Sequence, residues 1–282
     1  MVSRPLSRTA RRAGDRRCRL TGVHARSALF DLYGDHLRRR GGTAPIASLV
    51  RLLGSLGIAA PAVRTAVSRM VRQGWLVPMT LEGGPGYALT PKAVARLDDA
   101  VARVFRTDPP EWDGRWDLVV TSRPASRSAR ERLRAGMTFL GYAPIGDDTW
   151  VAPRRSPEAA ALLDSEGVDV HWFGSARAED ARALVRSAWD LEALATAYAR
   201  WLDEASLLVG DDVAPPATDE DAFALRSQLV HEWRKFLFTD PALPPELLPE
   251  DWVGSVAADF FDRHAAALQP GASRWVEACL RR

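Results

Sequence analysis

The sequence contains very little cysteine, lysine and histidine. Its 282 residues include two cysteines, Cys18 and Cys279, at opposite ends of the chain, and two lysines, Lys92 and Lys235. This cysteine content excludes a disulfide framework and a cysteine-based metal cluster, and it is typical of a protein from a reducing cytoplasm. None of the five histidines has a partner at the spacing of metal ligands, so no metal site is predicted.

Several familiar motifs are also missing. No apolar run approaches the roughly 20 residues that span a bilayer, so no membrane partner is expected. The first twenty residues contain arginine and serine but no apolar h-region, which predicts a disordered basic arm over 1–22 rather than a secretory signal. No phosphate-binding glycine loop, GxGxxG motif or GxSxG motif occurs, and neither a catalytic residue nor a cofactor is predicted.

Charge is distributed unevenly along the chain. The net charge is +2, yet residues 1–75 hold 15 arginines against three aspartates. Seven of these arginines precede residue 20, and the other eight lie in or beside predicted helices. A basic segment attached to an acidic remainder favours a polyanionic partner for that segment alone. The N-terminal third is therefore expected to bind nucleic acid.

Periodicity in the N-terminal third predicts the order helix, helix, short turn, helix and β-hairpin. Apolar residues at helical spacing place the first two helices over 25–38 and 45–56. A third helix runs over about 61–73, before a glycine that ends it. Two short apolar runs around EGGPG then predict the hairpin. This order is typical of a winged helix-turn-helix, which we predict for residues 23–90.

The third helix has an apolar face and a polar face. At 100° per residue, Val63, Val67 and Met70 centre on one side, which predicts the buried face. The opposite and flanking positions hold no acidic residue: they are Pro61, Arg64, Thr65, Ser68, Arg69 and Arg72. Arginine reads guanine edges or grips phosphates, and the hydroxyls suit either contact. These six residues are the predicted DNA-binding set, with an ordinary solvated helix face as the alternative.

Two N-terminal blocks stand out: RSALFDLYGDHLRRRGG and LVRLLGSLGIAAPAVRTAVSRMVRQGWL. Together they resemble the PaaX family, whose members are repressors named for bacterial phenylacetic acid degradation. The resemblance continues in EWDGRWDLVV (111–120) and in LVHEWRKFLFTDPALPPELLPEDWVG (229–254), and so covers most of the chain. The resemblance implies an α+β multidomain fold with an N-terminal winged helix-turn-helix, a middle ferredoxin-like α/β domain and an all-helical C-terminal domain. It also implies release from operator DNA by an aromatic or other acyl-CoA, phenylacetyl-CoA in the family's best-known member.

The rest of the sequence fits this plan. Residues 91–110 contain a linker helix that serves either as a dimer seam or as simple packing on the winged helix. Strand and helix patterns alternate over 111–175, as in a ferredoxin-like domain. Long helical patterns fill 176–282, with FFDRHAAAL as a final helix, and this region is expected to bind the effector and form a homodimer.

The middle domain also resembles the small ferredoxin-like nucleases of CRISPR adaptation, which carry a metal-binding aspartate at the end of their first strand. Here that strand ends in TSRP (121–124) with no carboxylate, and Asp117 lies within the strand instead. Because Mg²⁺ needs oxygen ligands beside the phosphate, metal-dependent nuclease activity is not expected. A nucleic-acid-processing enzyme and a constitutive DNA-binding protein without an effector are the alternatives to a ligand-responsive repressor.

The acyl-CoA effector that the resemblance implies needs a pocket with basic residues at its mouth and aromatic residues deeper in. These features meet in the predicted effector-binding set: Trp233, Arg234, Lys235 and Phe236. Aromatic residues on helices are also typical of simple packing. A second candidate is the pair Arg154 and Arg155, just after Trp150.

Overall fold

The computed structural model describes residues 24–105 and 111–281, which divide into two units. The predicted basic arm, Cys18 and residues 106–110 of the predicted linker lie outside the described residues. Within the described chain, the first unit comprises 24–97, 214–230 and 265–281. The second unit comprises 98–213 and 231–264. The helices of the predicted C-terminal domain are thus divided between the two units.

The first unit begins with three helices. α1 spans Ala25–Leu32 and continues through a π-helical segment, Tyr33–Leu37, and a 3-10 turn, Arg38–Arg40. α2 spans Ile46–Gly54, and α3 spans Ala60–Arg72. The apolar residues predicted for the first helix are buried, which confirms its periodicity. The regular α-helix nevertheless ends at Leu32, short of the length that the sequence predicts.

Three antiparallel strands complete the N-terminal part of this unit. β2, Leu76–Leu81, and β3, Gly84–Leu89, form the expected hairpin. β1, Thr43–Pro45, pairs with β3 and gives the order β1-β3-β2. This third strand was not predicted, because three residues leave no periodicity to read. Gly86 permits the close pairing, since a Cβ there would lie 2.8 Å from the carbonyl oxygen of Ala44.

The core of the first unit also contains residues from two C-terminal helices. α9 spans Asp219–Trp233 and α10 spans Val253–Leu280. Phe223 of α9 and Val276 of α10 are fully buried in the same cluster as the apolar residues of α1, α2 and α3. The N-terminal helices therefore do not close their core alone, because residues more than 120 positions later complete it.

α10 is longer than the final helix predicted over FFDRHAAAL. Pro270 and Gly271 are local features that favour a helix end. The helix continues through them because Leu268, Ala272 and Val276, four residues apart, are all buried. Tertiary packing of this face outweighs the local preference of the two residues.

The second unit contains a four-stranded antiparallel sheet in the order β5-β6-β4-β7. Its strands are β4, Trp116–Thr121; β5, Ala143–Pro144; β6, Thr149–Ala152; and β7, Val170–Ala176. α5, Arg127–Phe139, and α6, Pro157–Ser165, pack with one face of the sheet around Val119. The helices approach closely at Gly136, where a Cβ would lie 2.6 Å from a methyl group of Leu162. The predicted alternation of strands and helices is present.

Three further helices belong wholly or partly to the second unit: α4, Pro91–Val104; α7, Ala181–Ala188; and α8, Leu191–Val209. The 3-10 helix Arg234–Phe238 follows α9 directly. Aromatic side chains from this segment, α8, α9 and α10 form a contiguous cluster: Tyr198, Trp201, Trp233, Phe236, Phe260 and Phe261. None of the helices in the described ranges has the length and apolar character of a membrane span.

Candidate nucleic-acid interface

A glycine in a left-handed backbone conformation lies on each side of α3, one after the end of α2 and one after the end of α3 itself. Gly57 has a φ of 78° after α2, and Gly74 has a φ of 71° after α3. Both values lie in the left-handed region that glycine adopts without a steric cost. The buried side of α3 holds Val63, Val67 and Met70, as the periodicity predicts, together with Ala66. The helix is thereby fixed with its opposite side facing outward.

The outward side of α3 carries the whole predicted DNA-binding set. All six members are exposed: Pro61, Arg64, Thr65, Ser68, Arg69 and Arg72. Among the residues that the structure describes, the three arginines form no hydrogen bond or ion pair with another side chain. α3 has no acidic residue in its first turn, and it contains none elsewhere. The arrangement leaves three guanidinium groups and two hydroxyls available to a ligand.

The β2–β3 hairpin is tied to the end of α3. The Thr90 hydroxyl donates a hydrogen bond to the carbonyl oxygen of Gly74 at 2.8 Å. Trp75, beside it, packs edge-on against Phe30 with ring centroids 4.9 Å apart. The hairpin residues 76–89 contain a single charged residue, Glu82. The hairpin therefore offers shape beside α3 but no cation for a phosphate.

A buried ion pair connects the π-helical segment to α9. Arg226 donates two hydrogen bonds to the Asp35 carboxylate, at 2.8 and 2.6 Å, and a third to the carbonyl oxygen of Ala265. The two side chains are 5% and 7% exposed, respectively, so the pair is shielded from water. The Nε2 atom of His36 lies 3.1 Å from the same carboxylate.

The charges in this cluster decide the ionisation of its members. Burial alone would raise the pKa of Asp35, but the attraction of His36 and Arg226 outweighs it and holds that pKa below its usual value. Burial lowers the pKa of His36, and the nearby Arg226 and Arg40 lower it further against the attraction of Asp35. The carboxylate is thus ionised at neutral pH and balances the Arg226 guanidinium.

The end of α10 is fastened to α2 by polar contacts. Arg51 donates a hydrogen bond to the carbonyl oxygen of Cys279 at 2.9 Å, where it satisfies the end of the helix. The Trp275 indole donates to the Ser55 hydroxyl at 3.1 Å. Arg51 is therefore engaged inside the unit, although the sequence places it in the basic N-terminal third.

The predicted effector set is split between the core and the surface. Trp233 is 5% exposed, stacks on Phe261 with centroids 4.8 Å apart and donates its indole N–H to the carbonyl oxygen of Val104 at 3.0 Å. Phe236 stacks on Tyr198 at 4.0 Å. These two aromatic residues belong to the aromatic cluster.

Of the two basic residues of that set, Lys235 is exposed, whereas Arg234 is half-buried like Phe236. Arg234 Nη2 is 3.4 Å from His231 Nδ1, and Lys235 Nζ is 2.5 Å from Glu232 Oε2. A cleft of about 410 Å³ in the same unit has other lining residues: Asp190, Glu192, Ala193, Thr196, Ala197 and Arg200. The second candidate pair is also engaged, since the Arg155 guanidinium lies 4.1 Å above the Trp172 ring.

Asp117 lies within β4, where its carboxylate is hydrogen-bonded inside the sheet domain. Tyr142 donates its hydroxyl to Asp117 Oδ2 at 2.5 Å, and burial raises the pKa of this carboxyl. Within 24–105 and 111–281, no group of three or more histidine, cysteine, aspartate or glutamate side chains is arranged to hold a metal ion.

Comparison with known proteins relates most of the chain to one family. Residues 24–93 match the PaaX-like protein family, 109–185 the PaaX protein central Cas2-like domain, and 189–278 the PaaX-like protein C-terminal domain. The transcriptional repressor PaaX of Escherichia coli (strain K12) is 30% identical over 246 residues, which cover 83% of this chain and 77% of that protein. The uncharacterized protein Rv0674 from Mycobacterium tuberculosis has a similar structure, with a TM-score of 0.57 and 25% identity, over 90% of this chain and 98% of that chain. The chain therefore belongs to the PaaX family.

Proposed function

We propose that this protein is a DNA-binding transcription regulator that represses its genes by holding operator DNA with α3. The observation that carries the proposal is the outward side of α3, where three arginines and two hydroxyls stand without an acidic neighbour on a firmly packed helix. The order α1, α2, α3 and hairpin supports a winged helix-turn-helix, in which a recognition helix enters the major groove. The named relative is a repressor, which favours a regulator over a nucleic-acid-processing enzyme.

We assign roles to the other regions from their folds and from the small share of the chain that DNA binding needs. The β4-α5-β5-β6-α6-β7 order with the two helices on one face supports a ferredoxin-like domain over 111–175. A DNA-binding module over 23–90 leaves most of the chain for sensing and for assembly as a homodimer. Two recognition helices of such a dimer read half-sites about 34 Å apart, one turn of double-stranded operator DNA. We place effector binding and dimerisation in 176–282.

Arg69→Ala tests the role of α3. If Arg69 reads a base, its loss should weaken operator binding by about 1–3 kcal/mol and affect random DNA less. Fluorescence anisotropy with operator and scrambled duplexes measures both affinities at one salt concentration. Arg186→Ala is the control, because Arg186 is an exposed helix arginine of the second unit. Equal weakening on both duplexes would reassign Arg69 to a phosphate contact, and unchanged binding on both would remove α3 from the interface.

We further propose that an acyl-CoA releases the protein from DNA by binding near the four residues of the effector set. Arg234 and Lys235 would meet the phosphates, whereas Trp233 and Phe236 would form the apolar floor below them. A ligand can shift the protein between a DNA-competent and an incompetent state only by its difference in affinity for the two. A shift from 99:1 to 1:99 needs about 5.5 kcal/mol.

Arg234→Ala tests this effector site. The variant, first shown to be folded, is titrated with candidate acyl-CoAs while it is bound to operator. Release should require at least about tenfold more ligand, equivalent to about 1.4 kcal/mol of lost binding. Release at the parent's ligand concentration would move the site to the Arg155 region. If no acyl-CoA releases even the parent, a constitutive DNA-binding protein becomes the better description.

A further inference from the structure

α5 in the second unit carries a line of arginines on an exposed flank, beside the face that it buries. The helix buries Ala129, Leu133 and Met137, and Gly136 holds it tightly against α6. The α5 stripe lies on this flank and consists of Arg127, Arg130 and Arg134, all exposed. At 100° per residue these three positions fall within an arc of about 60°. The packed side thus fixes the direction in which the stripe faces.

The α5 stripe has little opposing charge. Residues 123–134 contain five arginines and one glutamate, within a part of the chain that is acidic as a whole. That glutamate, Glu131, pairs with Arg127 at 2.9 Å, where both side chains are largely exposed and the pair is weak. The side chains of Arg130 and Arg134 form no hydrogen bond or ion pair with any residue in the described ranges. The stripe is therefore a concentrated and largely uncompensated positive charge.

The position of these charges opposes the stability of the helix. The N-terminus of a helix carries partial positive charge, so acidic residues are favourable there and cations are not. α6 and α9 follow this rule, with Glu158 and with Asp219–Asp221 in their first turns. α5 instead begins at Arg127 and has no acidic residue in its first turn. Like charges three and four positions apart add further repulsion, and a bound anion would relieve both effects.

We propose that the α5 stripe is a second DNA-binding surface, which holds backbone phosphates without reading sequence. The inference rests on the proposed function, because that function supplies DNA as the partner. Arg127 and Arg134 are separated by about 10 Å along the helix at 1.5 Å per residue. This length equals the rise of about three nucleotides along the duplex axis, at 3.4 Å each. The β2–β3 hairpin, with Glu82 as its single charge, does not supply such contacts.

The test replaces all three arginines by glutamine in the full chain (R127Q/R130Q/R134Q) and measures affinity for operator and scrambled duplexes across a salt series. Affinity for both duplexes should fall by the same factor, tenfold or more. The slope of log affinity against log salt should flatten by about 0.9 for each lost phosphate contact. Arg132→Gln is the matched control, since Arg132 lies on the same helix, is exposed, and pairs with Glu166 at 2.7 Å. Its slope should equal that of the parent.

Thermal unfolding of the same variant separates binding from structure. Removal of like charges from the helix N-terminus should leave the melting temperature unchanged or higher, so a loss of stability that accounts for the weaker binding overturns the proposal. If the triple variant does not remain folded, Arg130→Gln alone replaces it, with an expected slope change of about 0.9. An unchanged slope overturns the proposal, and an acidic protein then becomes the better candidate partner for the stripe. In that case the proposed function still stands if the parent prefers operator to scrambled DNA. If the parent shows no operator preference yet the variant flattens the slope, the α5 stripe survives and the proposed function fails.

Discussion

Arg226→Met is expected to destabilise the first unit by about 3–5 kcal/mol, because it leaves a buried carboxylate without its partner. Asp35 is 7% exposed, and Arg226 gives it two hydrogen bonds. Methionine fills much of the arginine volume, so the effect reports the lost charge and hydrogen bonds rather than a large cavity. Urea unfolding followed by tryptophan fluorescence measures the free energy of unfolding of each variant.

Arg274→Met is the matched control for this prediction. Arg274 also donates hydrogen bonds to a carboxylate, that of Asp219, and this pair joins α10 to α9, the helix that carries Arg226. This pair is 62% and 40% exposed, so its removal should cost less than about 1 kcal/mol. Equal losses in the two variants would contradict the special importance of the buried pair.

Acid should reduce the difference between the parent and Arg226→Met. The pKa of Asp35 is lower in the folded protein than in the unfolded chain. Its contribution is therefore fully present above the unfolded pKa and is lost as the pH falls through the folded pKa. The same urea experiment at neutral pH and in acid should show the two free energies of unfolding converging in acid. A difference that is constant across this range would mean that the carboxylate charge is not responsible.

Trp233→Ala is expected to destabilise the second unit by about 3–5 kcal/mol, the usual cost of removing a large buried aromatic side chain. Trp233 stacks on Phe261, contacts Trp201 and donates its indole N–H within the unit. Its removal opens a cavity in the aromatic cluster and leaves the carbonyl oxygen of Val104 without that donor. Phe238→Ala is the control, since this phenylalanine is 54% exposed and its loss should cost less than about 1 kcal/mol.

The same Trp233 variant tests whether this side chain holds the core together in addition to forming the floor of the proposed effector site. A packing residue changes the unfolding transition, which circular dichroism follows on heating. A side chain that mainly lines a ligand site would leave that transition unchanged and raise only the effector concentration needed for release. The second result would contradict the core role that the stacking on Phe261 assigns to Trp233.

The sequence predicted the elements whose causes are local. The two sides of α3 follow from residues three and four positions apart, and the hairpin follows from its glycine-rich turn. β1 and the continuation of α10 through Pro270 depend on partners far away in the chain. No periodicity within either segment contains that information.

The buried ion pair and the α5 stripe differ in whether the sequence alone can predict them. Asp35 and Arg226 are 191 positions apart, so no spacing rule joins them, and only the folded core shows the pair. The α5 stripe, in contrast, can be read at helical spacing in SRSARERLR. The net charge of residues 76–282 is negative and gives no sign of the stripe, because a sum over about 200 residues averages out a local excess of arginine.

Selection of bound duplexes from a pool with a random central region tests the central claim, that the outward side of α3 reads a DNA sequence. The full-length parent should enrich a motif with two inverted half-sites about one helical turn apart. A variant that lacks both Arg69 and Arg72 should lose that motif while it still retains DNA. Failure of the parent to enrich any sequence over the starting pool, at a salt concentration where it binds DNA, would contradict the claim.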